Sequence, residues 1–375
     1  MYRLTSLGIA ALKQKGISNF RSHLVIIKSK SRSSSRTSPE IGTMLISLQP
    51  FSSGDFRTIE TICKQMKFDM MLTPTSCLDP IFEKLTSPSE YESVVENYPM
   101  NLSPPTDDSP FFFHMVRLQH AFRSDLWDTT LMYFNSRAII VLIVLTGVIC
   151  CMAFLCILLP VLFSRERKPF KKTIPLTLFF GGIGLGYMLV EISLMQKLII
   201  FLGHPTYGLS VVLFALLISS GLGSYSTEFA YSTPIRSGFI RLPILIFILS
   251  LLGIAGPKAI SHYQYLETWN RMVVAVIIIF PAGFFMGMAF PLGMKLANET
   301  LPKFTPWFWG INGAASISAS VLGTALSITS GISATFYVGL LCYLLAFIGF
   351  CFSHLRKSGQ KCCMKRRLEK RCDVA

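Results

Sequence analysis

The sequence predicts a polytopic α-helical membrane protein of about seven spans, preceded by a partial α/β segment. Three observations carry this reading. Hydrophobic residues make up 51% of the 375-residue chain and charged residues only 15%, whereas ordinary soluble domains are about a quarter charged. From Ala138 onward, apolar runs recur between short basic loops, most of them near the length of about 20 residues that crosses a bilayer. Before Ala138 the pattern changes to short β-prone runs alternating with amphipathic stretches.

The front segment reads as follows. MYRLTSLGIAALKQKG is expected to form an amphipathic helix ending at Gly16, because Lys13 and Lys15 interrupt the apolar core that a signal peptide needs. His23–Lys28 and Thr43–Leu48 are β-prone, and the Ser- and Arg-rich run Ser29–Thr37 between them is a polar loop. A helix is expected from Asp55, with Phe56, Ile59, Ile62, Cys63 and Met66 on one face. Phe68–Leu72 is a further strand, stopped by Pro74, and weaker helical patterns follow at Pro80–Leu85 and Glu90–Asn97. Leu102–Phe113 is Pro-rich and carries the paired carboxylates Asp107 and Asp108. Such a pair either binds a metal or a polyamine, or is solvated or caps the next element. No His or second carboxylate cluster stands at ligand spacing, so no metal site is predicted.

The expected spans are Ala138–Phe163, Ile174–Leu202, Leu209–Tyr225, Leu242–Gly256, Met272–Met294, Phe308–Thr329 and Ala334–His354, the fourth extending toward Ser261. Backbone groups in lipid must be satisfied within the protein, and no alternating barrel pattern occurs, so these are helices. Orientation follows from the basic residues. Loops 164–173, 226–241 and 295–307 and the tail from Arg356 onward hold 17 Lys and Arg, against Lys258 and Arg271 on the other side. That bias places the C-terminal tail in the cytoplasm. The net charge of +15 is thereby explained by membrane orientation, and with no nucleic-acid-reading module present, nucleic acid is excluded as a partner. The ten cysteines form no C-x-x-C pair, which removes the zinc and thioredoxin-like readings.

One residue in the spans stands out. Glu191 is a carboxylate in the middle of an apolar run, where an ionisable group is a functional-site hypothesis by default. Helical spacing puts Tyr187 and Gly184 on its face, with Gln196 and Lys197 about a turn and a half further on. Glu191 either binds a cation or ammonium group or relays a proton, or it is a neutral lock between helices. Lys197 is near enough to the helix end to snorkel. His204 lies in the turn Gly203–Gly208 between two runs, as a cap or a ligand. Asn312, Ser316 and Ser320 recur every four residues in the sixth span, lining a pathway or bonding neighbouring helices. Gly182 with Gly186, and Gly283 with Gly287, are small-xxx-small pairs that allow close helix approach.

Several stretches together carry a resemblance. Gly186–Ser224, MGMAFPLGMKLA and PWFWGINGAASISASVLGTALS resemble the membrane block of spermidine synthase-like multi-span proteins. HLVIIKS, GTMLISLQPFS, FDMMLTP and LSPPTDDSPFFFHM look like the last part of that family's soluble domain, a Rossmann-type fold similar to aminopropyltransferases and S-adenosylmethionine-dependent methyltransferases. The implied organisation is a Rossmann-like remnant at 1–115, a linker at 116–137, a helical membrane block at 138–355 and a basic tail at 356–375. The resemblance also implies that the family's nucleotide-binding half, with its Gly-rich turn and substrate-holding acids, would precede residue 1. No position here matches those motifs, so no catalytic residue carries over. S-adenosylmethionine, or its decarboxylated form, is expected to act only if that half is supplied elsewhere. The expected partners are the lipid bilayer, a polyamine or other small cation, and the missing N-terminal half.

The charge bias has a direct test. A protease-cleavable tag fused after Ala375 should be cut only once the cytoplasmic side of the membrane is opened to protease; cleavage from the opposite side would reverse the orientation.

Overall fold

A computed structural model of the chain describes residues 1–29, 41–115, 140–155, 170–229 and 234–372. Two units separate: Met1–Thr106 with Pro110–Val141, and Asp107–Ser109 with Leu142–Ala375. Most of the Ser29–Thr37 loop and the 116–137 linker lie outside the described residues.

In the first unit, α1 (Tyr2–Gln14) is followed by strands β1 (Leu24–Ser29) and β2 (Gly42–Ile46), helix α2 (Ser53–Met66), strand β3 (Phe68–Leu72), and helices α3 (Pro80–Thr86) and α4 (Tyr91–Asn97). α1 runs into Gly16, whose φ of +79° suits a residue without a side chain. The strands form a sheet of order β2-β1-β3, with β1 antiparallel to both neighbours. α2 begins two residues before Asp55. Ser52 is its cap, its Oγ accepting from the Asp55 amide at 3.2 Å while the Asp55 carboxylate accepts from the Ser52 amide at 2.9 Å. The core joins Ile9 and Leu12 of α1 to Leu24 and Ile26 of β1, Leu72 of β3, and Phe82 and Leu85 of α3. On α2 only Cys63 is buried, and Ile62 and Met66 are 49% and 60% exposed. The helical period identifies the apolar face of α2 without identifying anything that covers it.

Arg3 organises this unit in a way its sequence neighbours do not announce. Its side chain is buried, and it donates to the carbonyls of Ser103, Phe111, Phe112 and His114 at 2.7–3.0 Å. Four carbonyl dipoles replace its water and tie the Pro110–His114 segment to the first helix. Burial, then the nearby Arg3 charge, pushes the His114 imidazole below its ordinary range.

The second unit holds six helices long and apolar enough to cross a membrane, which makes it a multi-pass helical block. They are α6 (Phe170–Leu202), α7 (Pro205–Ser226), α8 (Pro234–Tyr263), α9 (Thr268–Thr300), α10 (Thr305–Ser330) and α11 (Ile332–Cys372). Within the first expected span, Ile140–Leu155 is a shorter apolar helix, α5; residues 156–169 lie outside the described residues. The helices run longer than hydropathy suggested, because a backbone ladder continues past the last apolar residue. α8 starts at Pro234, so Arg236 and Arg241 ride on its first turns and not in a loop. α9 continues through Pro281 and Pro291 to Thr300. α7 starts at Pro205, leaving Gly203 and His204 as the turn. Phe214, Leu217, Phe247, Ile254 and Ile277 are exposed along the apolar lengths of α7, α8 and α9, as faces toward lipid acyl chains would be.

α6 sits at the centre, packed against α7, α9, α10 and α11. Small residues set its spacing. A Cβ at Gly182 would stand 2.7 Å from the Cys342 carbonyl of α11, and one at Gly184 would stand 2.6 Å from the Asn312 carbonyl of α10. α7 and α9 meet in the same manner, with Gly287 against the backbone of Ser220 and Gly223 against the backbone of Phe284. Gly287→Leu should therefore lower the melting temperature in detergent, at a cost of about 1–3 kcal/mol. Gly221→Ala, where an added Cβ meets nothing within 4 Å, should leave it unchanged; equal melting of the two variants would contradict this packing.

Candidate functional site

Among the described helices, α6 is the one that packs against four others and carries an acidic residue within its apolar length. Glu191 is half-buried there. One turn back on the same helix is Tyr187, and Tyr343 of α11 packs on Gly186. Among the described residues Glu191 has no hydrogen-bond donor and no ion pair. The result is a carboxyl group inside the span, with a tyrosine one turn back and no ion pair among the described residues.

The remaining predicted residues divide by position. Asn312 and Ser316 of α10 pack on α6 at Gly184, seven residues before Glu191. Ser316 Oγ donates to the Asn312 carbonyl at 2.9 Å and lies 3.4 Å from the Gly184 carbonyl. Ser320 and Thr324 likewise bond back to their own helix, so this stripe spends most of its donors within α10. Gln196 is on α6, and its Oε1 is buried with no partner among the described residues. His204 stands at the start of α7, its Nδ1 accepting from the Thr206 amide at 3.3 Å and its ring 5.3 Å from that of Tyr207. Asp107 is exposed. Among the described residues no group of three or more His, Cys, Asp or Glu is placed to hold a metal.

Asp108 does something sequence reasoning did not reach. It caps α11, a helix 225 residues further on. Its carbonyl accepts from the Ile332 amide at 2.9 Å, and its Oδ1 accepts from the Ser333 amide at 2.8 Å and the Ser333 hydroxyl at 2.5 Å. Ser333 Oγ in turn accepts from Lys197 Nζ of α6 at 2.9 Å. Lys197 thus faces Ser333 and is not paired with Glu191. The available signal was indirect: Gly331-Ile332-Ser333 opens a helix with no capping side chain of its own before it. The Gly331 φ of +99° brings the chain round against Asp108.

Removing this cap should cost about 0.5–2 kcal/mol. Asp108→Ala should lower the melting temperature, and Asp108→Ala with Ser333→Ala should cost little more than either change alone. Full additivity of the two losses would show that they do not share one network.

The sequence matches no family model, and comparison with curated proteins and with solved structures finds no match either.

Proposed function

We propose that the chain is a multi-pass module of the spermidine synthase-like type whose helical block binds a small organic cation, with a polyamine as the substrate class, at Glu191. The observation that carries this reading is the half-buried Glu191 carboxyl, without a hydrogen-bond donor among the described residues and one helical turn from Tyr187, on the most enclosed helix. A carboxylate with aromatic neighbours suits an alkylammonium, which supplies the missing charge while its methylenes pack on the rings. The three membrane stretches behind the family resemblance fall on α6 with α7, on α9 and on α10, all of which pack against α6 except where they are α6 itself. The segment before the block is proposed as a remnant of a Rossmann-like domain. Its described strands pair antiparallel, and the resemblance alone supports the assignment. Transfer chemistry is not assigned to this chain. Methyl or aminopropyl transfer would need a nucleotide-binding half.

Binding of radiolabelled spermidine to the purified chain in nanodiscs tests the proposal. Wild type should bind, and Glu191→Gln should weaken binding by about tenfold or more, the scale of a lost charge-assisted bond. Equal affinity in the two proteins, or no binding by wild type, overturns it. Measurable binding of S-adenosylmethionine would show that the chain holds a nucleotide site after all.

A further inference from the structure

Lys197 belongs to a second arrangement that the Glu191 site does not use. Between α6, α8, α9 and α11 lies a cleft walled by Leu194, Leu252, Ile260, Ile278 and Phe336, with Gly253 and Gly256 opening its α8 side. Its enclosed volume is about 20 Å³, and its free space counted with the open mouth is about 340 Å³. An enclosed volume of that size admits a group of one or two water-sized atoms. Lys197 is the one charged residue on these walls.

The surroundings of that ammonium are incomplete. Its side chain is half-buried, donates one bond to Ser333 Oγ at 2.9 Å and lies 5.9 Å from the Phe336 ring centroid. Among the described residues no ion pair includes Lys197; the Asp108 carboxylate reaches it only through the Ser333 hydroxyl. An ammonium carries three donors, and among the described residues one of them has a partner. Withdrawing a charge from water is costly unless acceptors and a counter-charge replace the water.

We infer that this cleft binds the carboxylate head of a single-chain fatty acid, the head on Lys197 and the first methylenes along Leu252, Gly256 and Ile260. The two oxygens of a carboxylate match the remaining donors of Lys197, and the apolar walls match an acyl chain. The exposed Lys258, next to the lining residue Pro257 on α8, adds positive charge on that helix. A phosphodiester head fits less well, because its glycerol oxygens would meet walls that offer no donor other than Lys197.

The test uses the full chain in neutral phosphatidylcholine nanodiscs with a diazirine-bearing palmitate, read by mass spectrometry. Labelling should fall on α6 and α8 around the cleft and drop by about tenfold or more in Lys197→Met, the scale of one charged hydrogen bond. The methyl ester of the same probe should not label the cleft. Gly256→Leu supplies a second variant that keeps Lys197: a Cβ at Gly256 meets only Leu252 at 3.5 Å, so the longer side chain should fill the cleft, leave the fold intact and abolish labelling. Equal labelling by the ester, undiminished labelling in either variant, or displacement of the probe by phosphatidylglycerol at equal concentration would each overturn the assignment.

Discussion

Lipid tails are as apolar as leucine, so burying one membrane helix against another gains nothing from escaping water, and close contact must supply the attraction instead. This constraint shapes the whole helical block. α6 touches four neighbours, and it does so by presenting Gly182 and Gly186 to α11 and Gly184 to α10 at separations that leave no room for a methyl group. The aromatic residues fill what the glycines leave: Phe180 stacks on Phe308 with ring centroids 5.2 Å apart, and Phe179 packs on Phe350 at 5.8 Å. Glu191 and Lys197 are held where they are by this packing and by no ion pair of their own. The polar groups occupy positions that the small residues define.

Cations in the block share a second economy. Arg271 Nη1 donates to the Phe201 carbonyl at the end of α6 at 2.8 Å, and Lys295 Nζ donates to the Thr227 carbonyl just past α7 at 2.7 Å. Each places positive charge where helix carbonyls lack intrahelical donors. Arg3 of the first unit likewise bonds backbone carbonyls, four of them around a buried guanidinium. Lys197 departs from it by bonding a hydroxyl, and it is the cation that lines a cleft.

Much of the architecture was legible because membrane helices are written redundantly. A run such as Ile174–Leu202 needs no partner to be recognised, and the glycine pairs named close contacts before the contacting helices were known. The ends were less legible, since Arg236 or Pro291 disrupts a hydropathy profile without disrupting a helix. In the first unit the pattern located β1, β2, β3 and α2, yet not the sheet order, which depends on pairings between distant residues. For the site, Glu191 declared itself by its cost in lipid. Asp108, Ser333 and Lys197 did not, because each is ordinary in its local sequence and only the fold makes them adjacent.

The cap on α11 also bears on where the polypeptide can be divided. Reading by composition puts the boundary between soluble segment and membrane block near residue 115 or 137, and Asp107–Ser109 nonetheless clusters with the helices. A fragment beginning after either boundary would keep every apolar helix of the block and lose the carboxylate that closes the start of the last one. The N-terminus of α11 would then compete for water at the membrane surface, and Lys197 would lose the acid that compensates it through Ser333. The working edge of the helical block, as the hydrogen bonds define it, therefore lies upstream of its first apolar residue.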